Sequence, residues 1–381
     1  ISILSPTAIL GYGFPESSFR AGMARLPNAI AVDAGSTDPG PYYLGSGQSF
    51  TNREAVKRDL ALIIEAGLDA KIPVLIGSGA APHLSWCLEI VNDVLVELNQ
   101  TARVAHIESD QMANDLITAL HQHRISPLGP VPSLTVADIS ESTHIVAQMG
   151  VEPVIAALKE GAQIVVAGRC YEPAVFAAVP VMQGFSEALA LHMGKILECA
   201  AIAAIPGSGS DCMLGTLDAS GFVLEALNPD RRCTVTSVAA HTLYEKSDPR
   251  LLPGPGGVLD LTGCQFEQMD DRRVRVTGTQ FVKSDQYTIK LEGAKPVGYR
   301  TISLAGIRSP DLIAQLDTVL ESVKDQVFQN FGEIETTEVK LLFRCYGRDG
   351  VMGELEPMRQ AQPHEIGLVI EVVAKTQALA D

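Results

Sequence analysis

At 381 residues, with 46% hydrophobic and 19% charged side chains, the chain is long for a single core and too apolar for disorder, which predicts two packed domains. Its net charge of −16 argues against nucleic acid and anionic membrane surfaces as partners, although a local Arg or Lys pocket could still bind an anionic substrate. The seven cysteines are scattered, odd in number and never paired as C-x-x-C, which predicts reduced thiols in a cytoplasmic protein rather than a disulfide framework or a structural zinc site.

No apolar run reaches the roughly 18–20 residues of a membrane span, and no basic segment precedes an apolar one as in a signal peptide. The chain opens at Ile1 without a methionine and stops at Asp381 in a helix-like run, so trimming is expected at both ends.

In chain order, Thr7–Leu10, Ala29–Val32, Pro73–Ile76, Arg103–Ile107 and Gln163–Ala167 are β-rich and bounded by Gly, Asp or Pro. Between them Arg53–Ala66, Pro82–Leu98, Gln111–His121 and Pro153–Glu160 have helical spacing. The alternation predicts an α/β fold: a mainly parallel, doubly wound sheet with helices on both faces. Ligands of such a sheet bind outside the carboxyl ends of its strands. The segments there are small, Gly-rich or polar, which singles out Gly11, Gly13, Asp33, Ser36, Ser78, Gly79 and Arg169 as substrate-binding candidates. Gly77-x-Gly79 opens a helix, but Pro82 breaks G-x-G-x-x-G, so a dinucleotide is not favoured. Pro39–Phe50 has the composition of a covering loop.

Leu191–Cys199 reads as a helix on which His192, Lys195 and Cys199 share one face. A hydrogen-bonded core histidine beside a small buried cysteine would look the same; set against the glycine loops, a functional His192 is the preferred reading. Glu198 points elsewhere on the same wheel. A second helix, capped near Thr234 and running to Lys246, would put Ser237, His241, Tyr244, Glu245 and Asp248 on one polar stripe. Pro253-Gly254-Pro255-Gly256-Gly257 marks a boundary, giving an α/β domain over 1–252 and a smaller α+β domain over 253–381. In the latter, Val258–Leu261, Gln265–Met269, Arg272–Gly278, Tyr287–Leu291, Tyr299–Leu304, Lys340–Cys345 and Gly367–Val373 read as antiparallel strands, and Asp311–Phe328 as one amphipathic helix.

His241 and Glu245 one turn apart, with His192, could ligate a metal, but H-E-x-x-H is absent and no metal is expected. G-x-S-x-G is absent too, which weakens Ser78 as a nucleophile; Cys199 or Cys170 would need one of the histidines as a base. The most economical scheme uses no cofactor. Arg169 holds a substrate carboxylate, unless Glu172 occupies it in a structural ion pair. His192 or His241, oriented by Glu198 or Glu245, moves a proton, and Lys195 or Tyr244 steadies the developing charge. That set suits hydration, dehydration or isomerisation. A ligand-binding subunit and a hydrolase or acyl transferase are the rival readings.

Gly11-Tyr12-Gly13-Phe14, Gly168-Arg169, His192–Cys199 and Thr242-Leu243-Tyr244-Glu245-x-x-Asp248-Pro249 together resemble the acyclic terpene utilisation protein A family. Arg344–Gly350 with His364–Gly367 is similar to its carboxylate-catabolism branch. The resemblance implies a cytoplasmic, oligomeric enzyme of small-acid or acyl-CoA catabolism. It also implies a small ferredoxin-like partner domain, fused or separate, and a family sequence continuing past Asp381. It implies no catalytic residues.

Overall fold

A computed structural model describes residues 1–35, 39–79, 84–331, 338–358 and 361–381. The chain forms two compact units, Ile1–Lys295 and Pro296–Asp381. In chain order the first unit contains β1 (Ser2–Ser5), α1 (Glu16–Met23), β2 (Ala29–Asp33), α2 (Pro41–Ser46), α3 (Arg53–Ala70), β3 (Val74–Gly77), α4 (Leu84–Glu97), β4 (Val104–Ile107), α5 (Ala113–His121) and α6 (Val136–Glu141). It continues with β5 (His144–Ala147), α7 (Glu152–Lys159), β6 (Ile164–Ala167), α8 (Pro173–Met182), α9 (Glu187–Leu197), β7 (Met213–Leu217), β8 (Gly221–Ala226) and α10 (Val235–Leu243). Six short strands complete it: β9 (Leu251–Gly254), β10 (Gly257–Asp260), β11 (Gln265–Gln268), β12 (Arg273–Thr277), β13 (Gln280–Lys283) and β14 (Leu291–Ala294).

The principal sheet runs β11-β12-β8-β7-β1-β2-β3-β6-β4. From β1 to β4 its neighbours are parallel, as the βαβ alternation predicts. From β1 through β7, β8 and β12 to β11 they are antiparallel. The alternation of side chains along each strand divides two cores between the faces. Ile3, Ala29, Ala31, Leu75 and Val165 face α8 and α9. Leu4, Ile30, Val32, Val74, Ile76 and Ile164 face α3 and α4. Helices on both faces make the central strands apolar throughout.

The first strand is Ser2–Ser5, not Thr7–Leu10, which forms part of the loop leaving that strand. The pairing of β12 with β8 carries the hairpin around Asp270-Asp271 into the main sheet. Residues 253–295 therefore belong to the first unit, and the boundary falls at 295/296 rather than at the Pro/Gly cluster. That cluster is instead the β9–β10 hairpin. Its prolines and glycines signal a turn, and a turn is compatible with either a domain boundary or a strand connection.

The second unit contains β15 (Tyr299–Ile307), α11 (Pro310–Ala314), α12 (Leu316–Asn330), β16 (Val339–Tyr346), β17 (Ile366–Ala374) and α13 (Gln377–Ala380). Its antiparallel sheet is ordered β15-β17-β16, an α+β arrangement. Leu316 and Leu320 of α12 pack on Cys345, Ile366 and Leu368. The helix expected over Asp311–Phe328 is two, divided at Gln315.

Candidate functional site

Helix α9 is buried along its whole length from Ala188 to Leu197. Gly194 makes this possible, since a Cβ there would lie 2.6 Å from the Pro173 carbonyl oxygen, so α9 presses directly on the start of α8. The Ser5 hydroxyl donates to the Leu197 carbonyl at 2.7 Å, tying the end of α9 to the carboxyl end of β1. The last turn of α9 thus reaches the sheet edge where the strand-end loops gather.

Lys195 is 1% exposed. Its ammonium donates to Glu198 Oε1 at 3.0 Å and to Glu245 Oε2 at 3.4 Å, and lies 4.8 Å from the centre of the Tyr244 ring. Glu198, at i+3, is 9% exposed, and its second oxygen, Oε2, has no partner. Burial pushes its carboxyl up to about 8; Lys195 opposes the shift, and the neighbouring charges of Glu172 and Asp33 add to it. Burial also works against the Lys195 charge, but Glu198 and Glu245 outweigh it and the ammonium is held. The direction for the pair follows: Lys195 keeps its proton, and Glu198 acquires one far more readily than an ordinary carboxylate.

Two further buried atoms without partners belong to the same electrostatic neighbourhood. The Tyr171 hydroxyl, just beyond the carboxyl end of β6, is raised well above the usual phenol range by burial and then by Glu198 and Glu172. His241 Nε2 belongs to a ring that packs, tilted by 34°, at 4.7 Å from the Tyr244 ring and is lowered to about 4 by burial and the Lys195 charge. Cys199 Sγ contacts the Tyr244 hydroxyl at 3.2 Å, and burial pushes its thiol up to about 12. A thiol so far above neutrality is a poor nucleophile. Tyr244 and Glu245 are half-exposed and form the solvent side of the cluster.

The polar stripe expected on the second helix is broken. Helix α10 ends at Leu243, Tyr244 turns extended as its cap, and Glu245 has φ +70°. His241 and Glu245 are therefore not on one helical face, which removes the i, i+4 ligand spacing. Among the described residues no group of three or more His, Cys, Asp or Glu is placed to hold a metal ion.

His192 sits one turn before Lys195 in quite different surroundings. It is fully buried; Nδ1 meets the Thr279 hydroxyl at 2.7 Å and Nε2 the Thr242 hydroxyl at 3.2 Å. Phe222 packs edge-on to the ring at 5.1 Å. Burial, with a smaller push from Lys195, lowers it to about 3. Both nitrogens are satisfied and the imidazole is neutral, the character of a core histidine. What α10 offers this ring is Thr242.

Arg169 is likewise occupied. Nε and Nη2 donate to Glu292 at 2.7 and 3.0 Å, and Nη2 also to Glu172 at 2.8 Å. Nη1 donates to the Ser78 hydroxyl at 3.3 Å and to the Cys170 carbonyl oxygen. Burial opposes the charge, but Glu172 and Glu292 more than restore it. All five N–H groups thus have protein acceptors, and the expected grip on a substrate carboxylate has no donor to use.

The glycine loops also bind internally. Gly11 and Gly13 donate their N–H groups to Asp59 Oδ2 at 2.8 and 3.0 Å, so the anion in that cradle is the protein's own carboxylate. Asp33 is buried and accepts from Gly35 N at 2.9 Å. Ser78 and Gly79 donate their N–H groups to Gly168 and Ala167, at the end of β6. Ser36 lies outside the described residues.

Two members of this region are not singled out by the sequence, and a third, Glu198, is expected there only as an orienting group for a histidine. Glu198 falls on another face of the helical wheel, yet i+3 is hydrogen-bonding distance for Lys and Glu. Tyr171 sits two residues past Arg169 in a loop already singled out. Glu292, 123 residues from Arg169, left no local signal. Two clefts lie elsewhere, of about 390 Å³ beside Arg231 and Arg272 and about 710 Å³ between α12 and β16. Neither is lined by Lys195, Glu198 or Tyr171, so the chemistry of the groups, not the size of a cleft, selects the site.

Fold and site together define an α/β protein with a buried lysine–carboxylate cluster at the carboxyl edge of a mixed sheet. The family model described as acyclic terpene utilisation family protein AtuA matches residues 48–209 and 217–381, and the chain belongs to that family. Neither a curated protein nor a solved structure matches it. Among the described residues no helix is long and apolar enough to cross a membrane.

Proposed function

We propose that the chain is an enzyme that moves a proton at the carbon beside the carbonyl of a small organic acid or its acyl-CoA thioester. The reaction class is lyase (hydration or dehydration) or isomerase. The supporting observation is a set of buried polar atoms without partners in the electrostatic neighbourhood of the Lys195–Glu198 pair: Glu198 Oε2, the Tyr171 hydroxyl, which feels the Glu198 charge, and His241 Nε2, whose ring feels the Lys195 charge. Native proteins pair nearly all such atoms, so each calls for an explanation, of which a ligand or water is one. Glu198 is the proton carrier, because burial brings it to the range where it can both give and take a proton near neutral pH. Lys195 steadies the oxyanion. The ammonium hydrogen that it gives to neither Glu198 nor Glu245 is the one that a substrate oxygen takes. His192 and Arg169 support this site rather than act in it.

The family's name, acyclic terpene utilisation, fits an acyl substrate in catabolism. Seven free cysteines fit a reducing cytoplasm. A homo-oligomer and a small ferredoxin-like partner protein remain part of the reading, and a subunit active only with that partner is the alternative. The hydrolase reading loses support from Cys199, whose thiol stays protonated, and from Ser78, which has Arg169 rather than a base beside its hydroxyl.

The test is solvent deuterium exchange. The protein is incubated in D₂O with a panel of hydroxy and unsaturated acids and their thioesters, and label at the α-carbon is followed by NMR. Glu198→Gln is expected to slow exchange by about 100-fold or more with unchanged circular dichroism. If Glu198 donates the proton, the rate falls as pH rises through about 8. Exchange that survives Glu198→Gln unchanged overturns the assignment.

A further inference from the structure

We propose that the Lys195 site accepts the reacting end of its substrate as an uncharged carbonyl compound (a thioester, ester or ketone) and rejects a free carboxylate there. The inference rests on the proton-transfer reading of this site and narrows its substrate class.

Both the charge and the unfilled hydrogen bonds of the site favour a neutral group. Two ion-pair clusters, Arg169 and Lys290 with Glu172 and Glu292, and Lys195 with Glu198 and Glu245, are coupled through the charges of Glu172 and Asp33 on Glu198; together they hold three cations and five carboxylates. Each cation is already committed. Arg169 spends its whole donor set on Glu172, Glu292, Ser78 and the Cys170 carbonyl. Lys290 meets Glu292 at 2.5 Å. Lys195 holds Glu198 and Glu245. A carboxylate entering here would join an excess of negative charge with no free guanidinium to meet it. A buried charge is tolerated only when it is paired. Protonating Glu198 leaves one negative charge in excess and does not change the sign.

The atoms left open are of the opposite character. The Tyr171 hydroxyl and the His241 imidazole are neutral, and both residues are more than nine-tenths buried. A neutral hydroxyl or imidazole suits a carbonyl oxygen, whose partial charge needs direction rather than neutralisation. Lys195 has one ammonium hydrogen beyond the two given to carboxylates, enough to polarise a carbonyl. Glu198 Oε2 completes the set, as donor when protonated and as base when not. Any charged group of the substrate then extends past Tyr244 and Glu245 toward solvent.

Matched probes decide the question. Short-, medium- and long-chain carboxylic acids are compared with their S-acyl-N-acetylcysteamine thioesters and the corresponding methyl ketones. Each is titrated into the full chain by calorimetry and followed by thermal shift. The neutral member of a pair is expected to bind at least about tenfold more tightly than the acid, as like charges at short range require. Glu245→Gln, by removing one charge at the mouth, is expected to narrow that gap. Acids that bind as tightly as their neutral partners overturn the proposal, and so does the failure of every neutral probe to bind. Binding requires no turnover, so neutral-selective binding without deuterium exchange sinks the proton-transfer reading alone and leaves the charge preference standing.

Discussion

His192 and Lys195 lie one turn apart on α9, both essentially removed from solvent, and they show opposite ways of being buried. His192 has two threonine hydroxyls for its two nitrogens and aromatic rings around them. Lys195 is paired with a group that is only half satisfied, a carboxylate with one free oxygen, and the Tyr171 hydroxyl and His241 Nε2, in the same electrostatic neighbourhood, also lack partners. A buried polar side chain is thus not a functional mark in itself. Completed hydrogen bonding makes it structural, and unfilled valence beside a shifted carboxyl makes it a candidate for chemistry.

Perturbing the completed networks separates the two regions most sharply. The largest effect on stability is expected at Arg169, where lysine cannot serve five acceptors. Arg169→Lys leaves Glu172 and Glu292 poorly paired and should cost about 3–5 kcal/mol in urea denaturation. A loss below about 1 kcal/mol would mean that the guanidinium is free to bind a ligand after all.

Next is His192→Ala, which strands the Thr279 and Thr242 hydroxyls and opens a cavity, at about 2–4 kcal/mol. Turnover per folded molecule should stay within about threefold, the size expected of a residue outside the chemistry. A loss comparable to that of Glu198→Gln would place His192 in the chemistry and overturn its structural role. The same variant changes the acid side of the stability profile. An unfolded histidine titrates near 6.5, while native His192 stays neutral until about 3. Between those values the unfolded chain takes up a proton that the native state refuses, so stability is lost as pH falls, by up to about 1.4 kcal/mol per pH unit for one group. His192→Ala should flatten this slope, and His241, lowered to about 4, should keep part of it. Urea midpoints measured across that range read it directly.

The smallest effect belongs to Cys199→Ser. It keeps a partner for the Tyr244 hydroxyl and should change stability by less than about 1 kcal/mol and the rate by less than about threefold. Abolished activity would restore the thiol as a nucleophile.

Much of the architecture was legible locally. The apolar runs at Ala29–Asp33, Val74–Gly77 and Ile164–Ala167 are β-branched and continuous because both of their faces are covered. The helices between them carry an apolar stripe. Strands β7 and β8 lack a clear sequence signal because Gly215, Gly221 and the polar Thr216 interrupt the pattern, and because, beyond the hairpin they form with each other, their outer partners β1 and β12 are far away in sequence. Helix α10 was drawn too long because nothing in Leu243-Tyr244-Glu245-Lys246 forbids another turn. At the site, the residue types and their neighbourhood were readable, and Lys195, Tyr244 and His241 were all named. Their state of hydrogen bonding was not.

The sequence by itself determined the periodicities, and through them the α/β class, the helix that carries Lys195 and the loops that gather at one edge of the sheet. These follow from spacing of 2 and 3.6 residues, which is a local property. Only the tertiary structure decided which polar groups are complete and which are open. Thr279 reaches His192 across 87 residues, Glu292 reaches Arg169 across 123, and Glu245 reaches Lys195 across 50. Whether a buried group has found its partner depends on such distant encounters, and that is why Glu198, not His192, is the centre of the proposed site.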